Sequence, residues 1–236
     1  MTLKNKNIII TGGGRGIGAA TAKLLAGFGG RVFIVSQTKA ELETIANEIK
    51  LSGGEAVICA GNVADEKSVR SIFDIVATFG GADILVNNAA VGIMKPFLEL
   101  TNEDWANTLE VNVMGIVFCC REAIRQMQGK NEGSIVNISS LGGLERLQKF
   151  VGFSAYSVSK FGVVGLTECL AEEVKSLGIR VNCLAPGAVD TQMLRMAAPQ
   201  FKANTQPIDV ARLIHFLCDQ DLSGSMTGNV IPYFCN

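Results

Sequence analysis

The sequence predicts an α/β fold, a doubly wound parallel sheet with helices on both faces, and two features carry that prediction. Short β-branched or aliphatic runs alternate with longer stretches of helical periodicity along almost the whole chain, and a glycine-rich segment joins the first run to the first helix. The first strand is expected at 7–10, where Ile8-Ile9-Ile10 forms a compact apolar run, followed by a helix over 17–28. Strand 31–35 precedes helix 39–51, strand 55–59 precedes helix 66–79, and strand 83–86 precedes a long helix over 102–128. Strand 133–138 leads to helix 155–176, strand 180–184 to helix 208–218, and a last strand is expected at 229–233. Repeated strand, helix, strand units place the strands parallel and bury both faces of the sheet. The stretch from Pro186 to Pro207 does not fit the alternation. It follows the 180–184 strand, and in a doubly wound sheet the ligand crevice lies beyond the strands' carboxyl ends, so it is read as a substrate loop. No linker or repeat divides the chain, and residues 1–236 are read as one domain.

Composition narrows the function classes. Hydrophobic residues make up 48% and charged residues 18%, enough for a large core. With 21 basic against 22 acidic residues, no global field favours nucleic acid or an anionic membrane, so any anion must be recognised locally. No apolar stretch reaches spanning length, and Met1 to Asn7 lacks the regions of a signal peptide, so the expected compartment is cytoplasmic. The seven cysteines show no C-x-x-C spacing and are read as buried thiols, Cys235 excepted; His215, the single histidine, is read as a packing residue. No metal site is expected.

Thr11-Gly12-Gly13-Gly14-Arg15-Gly16-Ile17-Gly18 follows the first strand and opens a helix. Glycines allow a tight turn and a close approach to a pyrophosphate, which the free N–H groups and the dipole of the helix start stabilise. The end of the second strand meets the adenosine ribose in such sheets, and an acid there would accept from a free 2′-hydroxyl. Val35-Ser36-Gln37-Thr38-Lys39 contains none. Ser36 and Thr38 can donate to a 2′-phosphate, with positive charge from Arg15 and Lys39, so NADP(H) is expected over NAD(H). For Lys39, a solvated position in the first helical turn is an equally good reading.

Tyr156 and Lys160 stand at i and i+4 near a helix start and share a face. A nearby ammonium favours the phenolate, drawing the phenol's pKa toward the working pH and fitting it to exchange a proton with a carbonyl or alcohol oxygen. Ser134 to Ser140 reads as a buried strand ending in hydroxyls at the crevice, where Ser140 could stabilise a developing alkoxide. Asn112 interrupts an apolar helix and needs partners, one suitable partner being a water leading to Lys160.

Together these motifs resemble the short-chain dehydrogenase/reductase family from about Lys6 to Pro232: Thr11-Gly12 with Gly16 and Gly18, Asn87-Asn88-Ala89, Asn112, Ser140, Tyr156 with Lys160, and Pro186-Gly187 with Thr191. The resemblance implies a Rossmann-like seven-stranded sheet and a homodimer or homotetramer formed through the helices that carry Asn112 and Tyr156. It implies Tyr156 as acid/base, Lys160 tuning it and binding the nicotinamide ribose, Ser140 orienting the substrate, and Asn112 holding a relay water. Pro186, Val189 and Thr191 would meet the nicotinamide, Gly187, Asn88 and Ala89 would also bind the coenzyme, and Asn62-Val63 would meet the adenine. Three departures stand out: Ala90 where a glycine is usual, Asn62 where an aspartate is usual, and an interval between Ser140 and Tyr156 longer than the usual one, filled by Leu144 to Phe153. Should that interval shift the register, Ser139 would replace Ser140.

The function expected is hydride transfer between NADP(H) and a small, apolar carbonyl or secondary alcohol. A cofactor-sensing regulator or scaffold, and an epimerase or lyase using the same site, are the alternatives. Candidate pocket walls are 91–97, 141–153 and 188–201, with Ile93, Met94, Leu144, Phe150, Phe153, Met193, Leu194 and Met196.

Overall fold

The computed structural model describes residues 3–200 and 202–235; Phe201, at the end of the third candidate wall, lies outside the described residues. Seven strands, β1 (Asn7–Thr11), β2 (Arg31–Ser36), β3 (Glu55–Ala60), β4 (Ile84–Asn87), β5 (Gly133–Ile138), β6 (Ile179–Pro186) and β7 (Val230–Tyr233), form one sheet. Its order is β3-β2-β1-β4-β5-β6-β7 and every neighbouring pair is parallel. The helices are α1 (Gly16–Gly27), α2 (Lys39–Leu51), α3 (Glu66–Ala77), α4 (Asn102–Leu109), α5 (Gly115–Met127), α6 (Ser154–Val174), α7 (Gln192–Ala197), α8 (Pro207–Cys218) and α9 (Gln220–Ser223).

Alternation along the strands sorts the core into two layers. Ile8, Ile10, Val32, Ile34, Val86 and Val136 face one side and pack with Ala22 and Leu25 of α1, Ile45 and Ile49 of α2, and Ile214 of α8. Ile9, Phe33, Val35, Leu85 and Ile135 face the other, against Ile72 and Phe73 of α3, Cys119 and Ala123 of α5, and Val163 of α6. Strands buried on both faces read as continuous apolar runs, which is why β1 and β2 were legible. Local chemistry fixes several helix starts: Asp65 accepts from Lys67 N–H ahead of α3, Thr101 and Asp104 form a capping box on α4, and Pro207 opens α8.

The expected long helix at 102–128 is broken. A π-helical turn, Glu110–Met114, separates α4 from α5 and carries Asn112. Such turns insert a residue into the helical ladder and frequently mark functional positions. The substrate loop contains a further helix, α7, whose start Thr191 caps by accepting from Leu194 N–H at 3.2 Å, and α9 follows α8. Both are too short to show helical periodicity. Cys169 is exposed, contrary to the expectation that Cys235 alone escapes burial; Cys59, Cys119, Cys120, Cys183 and Cys218 are buried and Cys235 is intermediate. His215 stacks on Phe28 with ring centroids 3.9 Å apart, a packing role as expected. No helix among the described residues is long and apolar enough to cross a membrane.

Candidate active site

Strand order reverses between β1 and β4, since β1 runs on to β2 on one side and β4 to β5 on the other. Chain ends diverge there and leave a crevice. A cleft of about 670 Å³ opens at this point, lined by the glycine loop, the ends of β2, β4, β5 and β6, and α7. Gly12, with φ +65°, makes the first turn after β1, and Gly16 has φ +55°. Both lie in the left-handed region that suits glycine. Thr11 Oγ1 accepts from Asn88 and Ala89 N–H at 3.0 Å each, while Asn88 Nδ2 donates to Thr11 O at 2.9 Å and to Gly12 O at 3.3 Å. The β4 loop thus clamps the glycine turn, and Ala90 is accommodated beside it as a cleft-lining residue. Gly18 serves packing: a Cβ there would stand 2.1 Å from Gly12 O.

At Arg15, the N-cap of α1, no side chain caps the helix, and its first turn holds no acid. Its leading N–H groups and positive dipole end are therefore left unoccupied by the helix's own side chains, which fits a pyrophosphate. Ser36, Gln37, Thr38, Gly61 and Val63 continue the wall toward an adenosine, and Gly14 and Ile17 line the loop side. Two residues expected at this end, Lys39 and Asn62, are not among those lining the cleft. Lys39 is turned outward and pairs with Glu43 at 3.6 Å, the ordinary behaviour of an exposed first-turn lysine. Asn62 Oδ1 already accepts from Gln37 Nε2 and from Ala64 N–H, each at 3.1 Å, so the asparagine braces the β3 turn. One residue escaped the sequence reading altogether. Glu41 lines the cleft and its carboxylate lies 3.6 Å from the Arg15 guanidinium, which also donates to Gln192 Oε1 at 3.1 Å.

At the other end β5 delivers Ile138, Ser139 and Ser140 to the cleft. Ser139 Oγ donates to Lys160 O at 2.8 Å and is buried, so its hydroxyl is taken. Ser140 Oγ accepts from Gly142 N–H at 3.1 Å and hydrogen-bonds the Tyr156 side chain. The long interval does not shift this register. Lys149 Nζ binds the carbonyls of Leu141 and Leu144, and Gly152 O accepts from Lys95 N–H at 3.1 Å, so the extra residues fold out into a wall shared with the 91–97 loop. Gly143 lies against the Lys160 backbone so closely that a Cβ would stand 2.5 Å from its carbonyl carbon.

Lys160 is buried, its Nζ donates to Ile138 O at 2.8 Å, and it stands 5.6 Å from the centre of the Tyr156 ring. Desolvation lowers its pKa to about 8. The Tyr156 phenol departs from the expected downward pull: burial raises its pKa, and the group acting the other way is Ser140. Lys160 Nζ gives one of its three N–H groups to that carbonyl and keeps the others for a further partner. Asn112 finds its partners within the protein. It is fully buried, accepting from Val91 N–H at 2.8 Å and donating to Val91 O at 2.9 Å and Ser159 Oγ at 3.0 Å. Its side chain ties the β4 loop to α6. Pro186, Gly187, Ala188, Val189 and Thr191 line the cleft as expected, with Val91, Leu141, Phe150, Phe153, Met193 and Leu194 as apolar walls. Met94 instead packs at Gly152, and Met196 is 73% exposed. Among the described residues no cluster of His, Cys, Asp or Glu is placed to hold a metal ion.

A glycine cradle at a topological switch point, facing a tyrosine, a lysine and a serine, defines a dinucleotide-dependent oxidoreductase. Residues 6–201 match the short chain dehydrogenase family. The 3-oxoacyl-(acyl-carrier-protein) reductase FabG of Aquifex aeolicus (strain VF5) is 35% identical over 97% of this chain and 96% of its own. A short-chain type dehydrogenase/reductase from Mycobacterium marinum superimposes with a TM-score of 0.91 at 28% identity, covering 98% of this chain and 95% of the other. The 3-ketoacyl-(acyl-carrier-protein) reductase from Brucella melitensis, solved with NADH, gives 0.86 at 30% identity, covering 98% and 97%. The chain belongs to the short-chain dehydrogenase/reductase family. It is an NAD(P)(H)-binding oxidoreductase acting on CH–OH and C=O groups.

Proposed function

We propose that this enzyme is an NADP(H)-dependent reductase that interconverts a small, apolar ketone and its secondary alcohol, with Tyr156 as the acid/base. The observation that carries the reading is the convergence of the Tyr156 and Ser140 hydroxyls, joined by a hydrogen bond, beside the Lys160 ammonium at one end of the cleft. When bound, the reduced nicotinamide supplies a hydride to the carbonyl carbon. Ser140 donates to the carbonyl oxygen and holds it beside Tyr156. Tyr156 delivers its proton to that oxygen as the C=O π bond becomes C–H and O–H; oxidation runs the same transfers backwards. Its raised pKa keeps the phenol protonated at neutral pH, the form a reduction needs. Lys160, fixed on the Ile138 carbonyl, is placed to hold the nicotinamide ribose, and Asn112 positions Val91 and α6 around it.

Ser36, Thr38 and Arg15 favour the phosphorylated coenzyme, and Phe150, Phe153, Met193 and Leu194 favour an apolar substrate. The names of the Aquifex and Brucella relatives make a 3-oxoacyl thioester the first substrate class to try. We assign the enzyme to the cytoplasm as a homodimer or homotetramer, supported by its near-zero net charge, its buried free thiols and the exposed Met114, Val158 and Phe161 around the helices bearing Asn112 and Tyr156. The test is NADPH oxidation followed by absorbance with a panel of ketones and 3-oxoacyl thioesters. Tyr156→Phe is expected to lower kcat by ~10²–10⁴-fold. Turnover equal to the wild type would refute the mechanism, and coenzyme binding without turnover on any substrate would favour a sensor.

A further inference from the structure

We propose that Glu41 sets the coenzyme discrimination of this enzyme by holding Arg15 as an internal counter-ion, so that a 2′-phosphate and the Glu41 carboxylate compete for one guanidinium. The inference rests on the reading that Ser36, Thr38 and Arg15 form the 2′ site. Thr38-Lys39-Ala40-Glu41 has the T-x-x-E spacing of a capping box, in which the glutamate would turn back onto the Thr38 N–H. It does not do so. Thr38 makes no side-chain cap, and its N–H goes to Ser36 Oγ at 3.3 Å. The Glu41 side chain lies over the glycine loop instead: a Cβ added at Gly14 would stand 3.0 Å from both its Cβ and its Oε2, and 3.5 Å from Ser36 Oγ. Glu41, Ser36 and Arg15 therefore converge on Gly14.

The charges around this point leave Arg15 with one acidic partner. Lys39 pairs with Glu43 along α2, Lys23 of α1 pairs with Glu48, and Arg195 of α7 pairs with Asp190. Gln192, the other partner of Arg15, is neutral. Among the described residues that line the cleft, Arg15, Glu41 and the distant Lys160 are the charged ones. The adenosine end thus carries a compensated pair instead of the net positive charge a phosphate requires. The pair is partly exposed, with side chains at 59% and 33%, so the guanidinium can change partners at modest cost. A 2′-phosphate entering beside Glu41 meets like charge, whereas a 2′-hydroxyl can donate to that carboxylate. The site consequently discriminates between the two coenzymes less than Ser36 and Arg15 alone would dictate.

Quenching of Trp105 or enhancement of nicotinamide fluorescence gives Kd values for NADPH and NADH with wild type, Glu41→Gln and Glu41→Ser. Both variants are expected to tighten NADPH by about 5–20-fold, an effect that fades at high salt, while NADH changes by less than about 3-fold. An unchanged NADPH/NADH ratio in both variants, with native circular dichroism, would overturn the inference. So would an equal gain for both coenzymes. The wild-type ratio tests the NADP(H) reading separately. A wild type that favours NADH, shifting toward NADPH in Glu41→Gln, would refute the preference and support the role of Glu41. A wild type that favours NADPH with no shift in the variants would do the reverse.

Discussion

Lys160 is buried with the half-buried Tyr156 beside it, and desolvation drives their pKa values apart: the lysine falls to about 8 and the phenol rises. Each is thereby held in its neutral form over a wider range, which couples the site to stability. In the unfolded chain Lys160 would keep its proton up to the ordinary value of 10.5, so between about pH 8 and 10.5 the unfolded state binds more protons and stability rises with pH. Below about 8 both states are protonated and the full cost is present, on the order of a few kcal/mol. Tyr156 acts in the opposite sense at a higher pH, its contribution being lost as pH climbs above the phenol's ordinary value of 10. Denaturant unfolding of the ligand-free protein should therefore show a rise in stability from about pH 8 to 10 that Lys160→Met lacks. Equal pH dependence in the two proteins would contradict the buried-ammonium assignment.

At the level of elements, two glycines of α1 separate packing from propensity. Gly18 touches the Gly12 carbonyl, and Gly18→Ala would place a methyl 2.1 Å from that oxygen, so the loop must move. Gly27, at the other end of the helix, has nothing within 4 Å of a built Cβ. Gly27→Ala is expected to stabilise the fold by up to about 0.5–1 kcal/mol, while Gly18→Ala destabilises it by roughly 1–3 kcal/mol and weakens coenzyme binding at least tenfold. Chemical denaturation and a coenzyme titration check both. The π turn between α4 and α5 and the 144–153 wall belong to this scale too. Both are places where an added stretch of chain is absorbed locally, the first by Asn112 bonding Val91 and Ser159, the second by Gly152 pairing with Lys95. Neither insertion disturbs the strands behind it, so Ser140 stays at the end of β5.

Across the whole molecule, the cleft draws on residues from Gly12 to Cys235, so a bound coenzyme ties together both halves of the sheet. Saturation at about 100 times Kd should add about 2.7 kcal/mol to stability, raising Tm by roughly 5–10 °C for a chain of this size. Thermal melts with NADPH, and without it, measure this; an unchanged Tm at saturating coenzyme would refute the site. All seven strands and the positions of Gly12, Ser140, Tyr156 and Lys160 were legible in the sequence, because parallel strands buried on both faces are written as apolar runs and motif residues sit at fixed distances from them. Such information is local, whereas the return of β4 to the far side of β1, which opens the cleft, is decided by the tertiary packing. What the sequence could not decide were choices between partners remote in the chain. Asn62 turned to Gln37, Asn112 bound Val91, and Glu41 abandoned a capping role for Arg15. A polar side chain can satisfy itself in several ways at similar cost, and the winner is set by which groups packing brings within 3–4 Å, a quantity that exists only once the chain is folded.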